Sequence, residues 1–325
     1  MKITQDCIAP DLRIPGRFYH FLDGLYPARM TMPSLPDWMA EWKSDPKENL
    51  YNRFLEREDG SQLRLLIHKP KRSLAKPLPV VFWIHGGGYA LGMPEMMYLS
   101  LVRTIMENCV IVSCDYTLSG QKGFPAGLED CWKALVWTRK HARKLGGRED
   151  QIFVGGESAG GGLAAALCLL ARKRKQVGIA CQILVYPMLD ARMQTASMKD
   201  NNAPVWNEKL NRNAWNMVLE NVPELTPFAS PSLETDLSGL PPAISLVGSI
   251  DPFRDETLDY ISRLRKAGVP ATCRVYEGCY HAFDMMVPWS EEAARARRYF
   301  KSRMNLAFLQ YFQKQDGSSS LGISE

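Results

Sequence analysis

Gly156-Glu157-Ser158-Ala159-Gly160 is the stretch of this chain whose residue types and spacing could do chemistry. Residues 151–154 ahead of it form a short apolar run of strand type, and 163–172 beyond it is rich in Ala and Leu without Pro or Gly, the composition of a helix. A serine on a tight strand-to-helix turn is held with its hydroxyl outward, and the crowded backbone there requires small neighbours. The helix that follows points its free N–H groups and the positive end of its dipole at the same spot, where an oxyanion could form. The bland reading is an ordinary Gly-rich turn. A reactive serine would instead need three partners elsewhere in the chain: a base, an orienting acid and an oxyanion hole.

The base must be sought among five histidines, at 20, 68, 85, 141 and 281. His20 lies in an apolar N-terminal segment, His68 in a surface-type strand and His141 on a Lys/Arg-rich helix face, so each reads as structural or solvated. His281, in Gly278-Cys279-Tyr280-His281-Ala282-Phe283, follows a strand by a few residues, where ligands meet parallel sheets. It is the best base. For the acid, Asp251 and Asp255 compete in Ser249-Ile250-Asp251-Pro252-Phe253-Arg254-Asp255, which begins where another strand ends. Asp255 is better placed to begin the next helix, where Asp is favoured. His85-Gly86-Gly87-Gly88 follows the apolar run 80–84, and three glycines let backbone N–H groups approach a substrate closely. Such a loop, with the N–H of Ala159 after the serine, would make an oxyanion hole, His85 bracing the loop rather than acting as base. No Lys-Ser or Lys-Thr follows these glycines, which weakens a phosphate-binding reading, and no second His or Cys stands nearby to favour a metal.

These residues need a scaffold that brings strand ends together, and the pattern supplies one. Residues 51–69 alternate as antiparallel strands should, with an Asp59-Gly60 turn. Continuous apolar runs at 79–84, 110–113, 151–154, 181–186, 243–247 and 272–276 read as buried strands. Helical stretches fall at 96–106, 128–145, 163–172, 256–267 and 291–313. That alternation predicts an α/β fold, a mostly parallel central sheet with helices on both faces. Residues 188–240 break the rhythm with Trp206, Trp215, Met217, Val218 and Leu219. They are expected to be an insertion of short helices that forms a helical cap with the N-terminal segment, which carries Trp38 and Trp42. The expected organisation is an N-terminal cap segment at 1–50, a catalytic domain at 51–315 with its cap insertion at 188–240, and a frayed tail at 316–325.

Bulk properties exclude other classes. With 325 residues, 46% hydrophobic and 23% charged, the chain can bury a large core. The net charge of +5 is spread out, and its densest run, Arg172-Lys173-Arg174-Lys175, closes a predicted helix, where cations meet the dipole favourably. Nucleic acid is not needed to explain it. The eight cysteines form no C-x-x-C, and several lie inside apolar runs like buried free thiols. The N-terminus lacks an apolar core of signal-peptide length and no run of about 18 apolar residues occurs, so the expectation is a cytoplasmic protein without a membrane span.

The order Ser158, Asp251, His281 is the order of the α/β-hydrolase fold. With His85-Gly86-Gly87-Gly88, Gly156 to Gly161, Asp251 to Glu256 and His281-Ala282-Phe283, the chain resembles the hormone-sensitive-lipase-like group of α/β-hydrolases, in its bacterial esterase branch. Asp115-Tyr116, Phe124-Pro125-Ala126, Leu128-Glu129-Asp130 and Leu237 to Ala243 are also similar, and the match spans roughly residues 63–312. The resemblance implies Ser158 as nucleophile, His281 as base and Asp251 as its orienting acid, with Gly86, Gly87 and Ala159 donating N–H groups to the oxyanion. It implies a serine carboxylesterase for short-chain acyl esters, acetyl esters of sugars or xylan fragments among them. The partner is then a small-molecule ester, with no cofactor and no metal, and the family's habit of pairing through sheet edges or C-terminal helices implies a homodimer. Amidases and peptidases use the same triad; non-catalytic receptors of this group have lost the histidine, which is present here. Two departures stand out: Glu157 replaces the usual Asp before the serine, and Thr117 replaces an Arg that would brace the loop after Asp115-Tyr116.

Overall fold

The computed structural model describes residues 1–23, 49–71 and 76–313. Eight strands form one sheet: β1 Leu50–Glu56, β2 Gln62–His68, β3 Leu78–Ile84, β4 Val110–Cys114, β5 Gly147–Glu157, β6 Cys181–Val185, β7 Ala243–Gly248 and β8 Ala271–Tyr276. They are ordered β1-β2-β4-β3-β5-β6-β7-β8. β2 runs antiparallel to both β1 and β4, and every other pairing is parallel. Among the described residues the α-helices are α1 Arg13–Asp23, α2 Ala126–His141, α3 Ala159–Arg174, α4 Glu208–Val218, α5 Arg254–Lys266, α6 Phe283–Met286 and α7 Glu291–Gln310.

β3 shows why the central strands read as unbroken apolar runs. Val80, Phe82 and Ile84 point into one core with Leu135 of α2 and Leu167 of α3. Val81 and Trp83 point into the other, with Ile105 and Phe300 of α7. Both faces are covered, so both sets of alternating side chains must be apolar. α3 runs through the interior beneath the sheet's centre, with every residue from Ala159 to Ala171 buried. Its basic end is tied up within the protein: Arg172 donates to the carbonyls of Asp236 (2.7 Å) and Ser238 (2.8 Å), and Arg174 pairs with Glu129 at 2.9 Å.

Three expectations need adjustment. Residues 96–106 are not an α-helix but two 3₁₀ segments, Pro94–Tyr98 and Leu101–Asn108, parted at Ser100 by an extended backbone (φ −86°, ψ 173°). Leu101, Val102, Ile105 and Met106 are nevertheless buried, so the apolar pattern reported packing rather than helix type. The strand expected at 151–154 begins earlier, at Gly147, because β5 pairs along the length of β3. The predicted helix at 163–172 starts directly after Ser158. The N-terminal residues lie against later loops: the Ala9 N–H donates to the Gly278 carbonyl (2.9 Å) and the Tyr19 hydroxyl to the Met286 carbonyl (2.9 Å). Trp38, Trp42 and the tail expected at 316–325 fall outside the described residues.

Candidate active site

Ser158 stands between β5 and α3 at φ 57°, ψ −121°, a backbone that a non-glycine residue keeps only when its surroundings hold it. They do so here: its N–H donates to the Val185 carbonyl (2.9 Å), and its carbonyl accepts from Gly162 (3.1 Å) and Met188 (3.0 Å). Gly160 is obligatory beside it, since a Cβ there would collide with the carbonyl oxygen of Ile84. The turn aims Oγ at His281 Nε2, 2.8 Å away. His281 sits past the end of β8, and its Nδ1 lies 2.8 Å from Asp251 Oδ2, past the end of β7. The carboxylate fixes the tautomer, Nδ1 carrying the proton and Nε2 accepting from the serine. Asp251 is fully buried, and its Oδ1 accepts the Phe253 N–H at 2.8 Å. The competition with Asp255 is resolved by geometry. Asp255 bonds Arg254 Nε (2.7 Å) and the Ser197 N–H (2.7 Å) in the first turn of α5, away from the histidine.

Tyr186 (4.7 Å between ring centres) and Phe253 (5.0 Å) stand edge-on to the His281 ring, with Trp206 at 6.2 Å. Nothing along the chain marks Tyr186 or Phe253 as neighbours of the histidine, since each becomes one only when β6 and β7 end beside β8.

The loop after β3 differs from expectation in one donor. The Gly86 N–H turns inward to Glu157 Oε1 (3.4 Å) instead of toward the space in front of Ser158. Gly87 (φ 114°) and Gly88 (φ 60°) carry the backbone round in conformations that favour glycine. Their N–H groups, and that of Ala159, have no acceptor among the described residues. A Cβ on Gly87 would strike the Leu91 carbonyl, and one on Gly88 the Trp206 ring. The N–H groups this loop leaves open are therefore those of Gly87 and Gly88, where the sequence pointed to Gly86 and Gly87. His85 is a brace: it stacks on Tyr116 (4.3 Å between ring centres), and its Nδ1 lies 2.8 Å from the Gly86 carbonyl. Complete burial lowers its pKa and keeps it uncharged.

The brace missing at Thr117 is supplied from far away in the chain. Asp130 Oδ2 accepts both the N–H (2.8 Å) and the hydroxyl (2.6 Å) of Thr117. The same carboxylate is gripped by Arg57, just past the end of β1, through Nε (2.7 Å) and Nη2 (3.0 Å). Beside it, Arg64 of β2 ties Asp115 (3.0 Å) to Glu95 (2.7 Å), pinning the segment that leaves the glycine loop. The other histidines stay apart from the site: His68 is buried in β2, His141 stacks on Trp137 at 4.3 Å, and His20 lies in α1. Among the described residues no group of three His, Cys, Asp or Glu could hold a metal, and no helix is long and apolar enough to cross a membrane.

A serine linked through a histidine to an aspartate, all three at strand ends with a glycine loop over the serine, can carry out acyl transfer. Residues 81–285 match a family described by its alpha/beta hydrolase fold. The chain belongs to the hormone-sensitive-lipase-like family of α/β-hydrolases. It is 33% identical over 229 residues to carboxylesterase NlhH of Mycobacterium tuberculosis, covering 66% of this chain and 70% of that protein. It is 34% identical over 235 residues to an arylesterase of Saccharolobus solfataricus, covering 68% and 73%. A bacterial heroin esterase superposes with a TM-score of 0.78 over 94% of this chain and 99% of its own, at 29% identity. This family member is a carboxylic ester hydrolase.

Proposed function

We propose that this hydrolase is a serine esterase in which Ser158, His281 and Asp251 form the catalytic triad. The observation that carries this is the pair of 2.8 Å contacts that link Ser158 Oγ through His281 to Asp251, at a turn whose backbone presents the hydroxyl. As Oγ attacks the ester carbonyl, His281 Nε2 takes its proton and the imidazolium forms against Asp251. The carbonyl oxygen becomes an oxyanion, held by the N–H groups of Gly87, Gly88 and Ala159. When the tetrahedral intermediate collapses, the carbon–oxygen bond to the alcohol breaks and His281 returns the proton to the leaving alkoxide. Water then attacks the acyl-serine by the same route, releasing the acid and restoring Ser158.

Short acyl chains, acetyl esters of sugars among them, are the substrates this site supports best. Trp206 lies over Gly88, and with Tyr186 and Phe253 it crowds the surroundings of His281. Residues 188–240, with the described N-terminal residues 1–23, act as the cap over the catalytic domain. Eight free cysteines are in keeping with a cytoplasmic, reducing setting. A homodimer would cover the outward Leu306 and Leu309 of α7 and Phe312 just beyond it. The test is hydrolysis of p-nitrophenyl acetate, butyrate, octanoate and laurate, with the matching anilides alongside. Turnover of the short esters that Ser158→Ala and His281→Ala each abolish supports the proposal. Turnover that survives Ser158→Ala, or falls on anilides alone, contradicts it.

A further inference from the structure

Two buried carboxyls beside Ser158 take no part in the proton relay. Glu157 is 2% exposed; its Oε1 receives the Gly86 N–H at 3.4 Å, and its Oε2 has no close hydrogen bond, the Trp83 indole being a weaker neutral donor to the carboxyl. Asp284 is 3% exposed; its Oδ1 accepts the Tyr186 hydroxyl at 2.9 Å, and its Oδ2 is equally bare. Among the described residues no Lys or Arg contacts either one. The titratable groups around Glu157 come from every neighbouring loop: His85 from the glycine loop, Tyr116 after β4, Tyr186 after β6, Asp251 after β7, and His281 with Asp284 after β8. Of these His85 is held uncharged by burial, and the Nδ1 proton of His281 is directed at Asp251. Arg297 acts on Asp284 only through space. No cation is left to balance a charge on Glu157, and a carboxyl in such a place keeps its proton.

We propose that Glu157 is neutral in the working enzyme and is the positioning residue of the oxyanion loop, holding the Gly86 N–H inward so that the Gly87 and Gly88 N–H groups face the substrate. The packing carries it. A Cβ on Gly86 would lie 3.0 Å from the Glu157 carbonyl oxygen and 3.3 Å from Glu157 Cγ, so the loop rests directly on this residue. Glu157 is one methylene longer than the Asp usual in this family, and the added length carries its carboxyl to the loop. Burial first, and the charge of Asp284 after it, push the Glu157 pKa up to about 8, and burial pushes Asp284 up to about 6. Below about pH 8 the loop therefore rests on an uncharged acceptor; above it, a negative charge develops beside the oxyanion and opposes it.

This inference rests on the serine-esterase proposal, so the experiment separates the two. Full-length wild type, Glu157→Gln, Glu157→Asp and Glu157→Ala are assayed for kcat and KM on p-nitrophenyl butyrate from about pH 5 to 10. Fluorophosphonate labelling of Ser158 is read in parallel. The wild type should lose kcat above about pH 8. Glu157→Gln keeps the acceptor oxygen without the charge; it should lower kcat by less than about threefold at pH 7 and abolish the alkaline fall. Glu157→Asp and Glu157→Ala withdraw the acceptor and should lower kcat by about 10–100-fold with KM little changed. An infrared pH titration, independent of turnover, should show a protonated-carboxyl band that disappears near pH 8 in the wild type and is missing from Glu157→Gln. The inference is overturned if Glu157→Gln is as impaired as Glu157→Ala with the alkaline fall unmoved, if Glu157→Asp matches wild type, or if no such band exists. If the wild type neither turns over esters nor labels at Ser158, the esterase proposal itself has failed.

Discussion

Asp251 and Glu157 are both buried carboxyls within one residue's reach of the Ser158–His281 pair, yet their surroundings are opposite. Asp251 meets a donor at each oxygen, His281 Nδ1 and the Phe253 N–H. Glu157 meets the Gly86 N–H at one oxygen and, more weakly, the Trp83 indole N–H, and no histidine or cation. The first arrangement suits an anion that steadies an imidazolium; the second suits a neutral acid that shapes a loop. Burial alone therefore does not decide what a carboxyl does. The kind of donor aimed at it does: Asp251 faces an imidazole that can become a cation, and Glu157 faces none.

Substitutions can break this contrast or sharpen it. The largest effect is expected from removing what both acids serve: Ser158→Ala should cost about 10⁵–10⁶ in kcat toward p-nitrophenyl acetate, measured on enzyme whose folding is checked by circular dichroism. Asp251→Asn should cost about 10⁴, because the amide no longer fixes the histidine tautomer. Set beside the expected loss of less than about threefold for Glu157→Gln, that ratio is the contrast in numerical form. If both amides cost the same, the two carboxyls are not different in kind. Gly88→Ala should cost about 10²-fold in kcat, since the added Cβ meets the Trp206 ring and the backbone there has φ 60°. Combining it with Trp206→Ala should recover part of that loss if collision is the cause, and little if backbone strain is.

The smallest effects concern stability. The folded state holds the Glu157 proton up to about pH 8, whereas an unfolded glutamate releases it near 4.5. Between those values the native state binds more protons than the unfolded state, so stability declines as pH rises through that window. Glu157→Gln should remove the decline and raise stability at pH 7 by on the order of 1–3 kcal/mol, read by denaturant unfolding at several pH values. Arg57→Met should act in the other direction, by about 1–3 kcal/mol, because Asp130 would keep Thr117 but lose its half-buried cation.

How much of this was legible in the sequence depended on distance along the chain. Ser158 and His281 could be read because each follows an apolar run that had to be a strand, and strand ends converge in a parallel sheet. Asp251 could be favoured over Asp255 only through the preference of Asp for a helix start, because both follow β7 and it is the turn of α5 that directs Asp255 to Arg254 and Ser197. The choice among Gly86, Gly87 and Gly88 was beyond reach as well. It depends on the sign of φ at two glycines and on a carboxyl 71 residues away. The support of Thr117 by Arg57 through Asp130 was hidden for the same reason: its partners are 73 residues apart and meet only across the folded sheet. The α-helix expected at 96–106 failed differently, since a 3₁₀ segment can bury the same apolar positions.

The central claim is that Ser158 carries the acyl group, and the most direct measurement is to catch it there. Mixing the enzyme with excess p-nitrophenyl acetate, quenching in acid within the first turnovers and mapping peptides by mass spectrometry should place an acetyl group on Ser158. The fraction modified should rise in His281→Ala if deacylation is slowed more than acylation, and be nil in Ser158→Ala. Steady ester turnover with Ser158 unmodified, or with the acetyl group on another residue, would contradict the account.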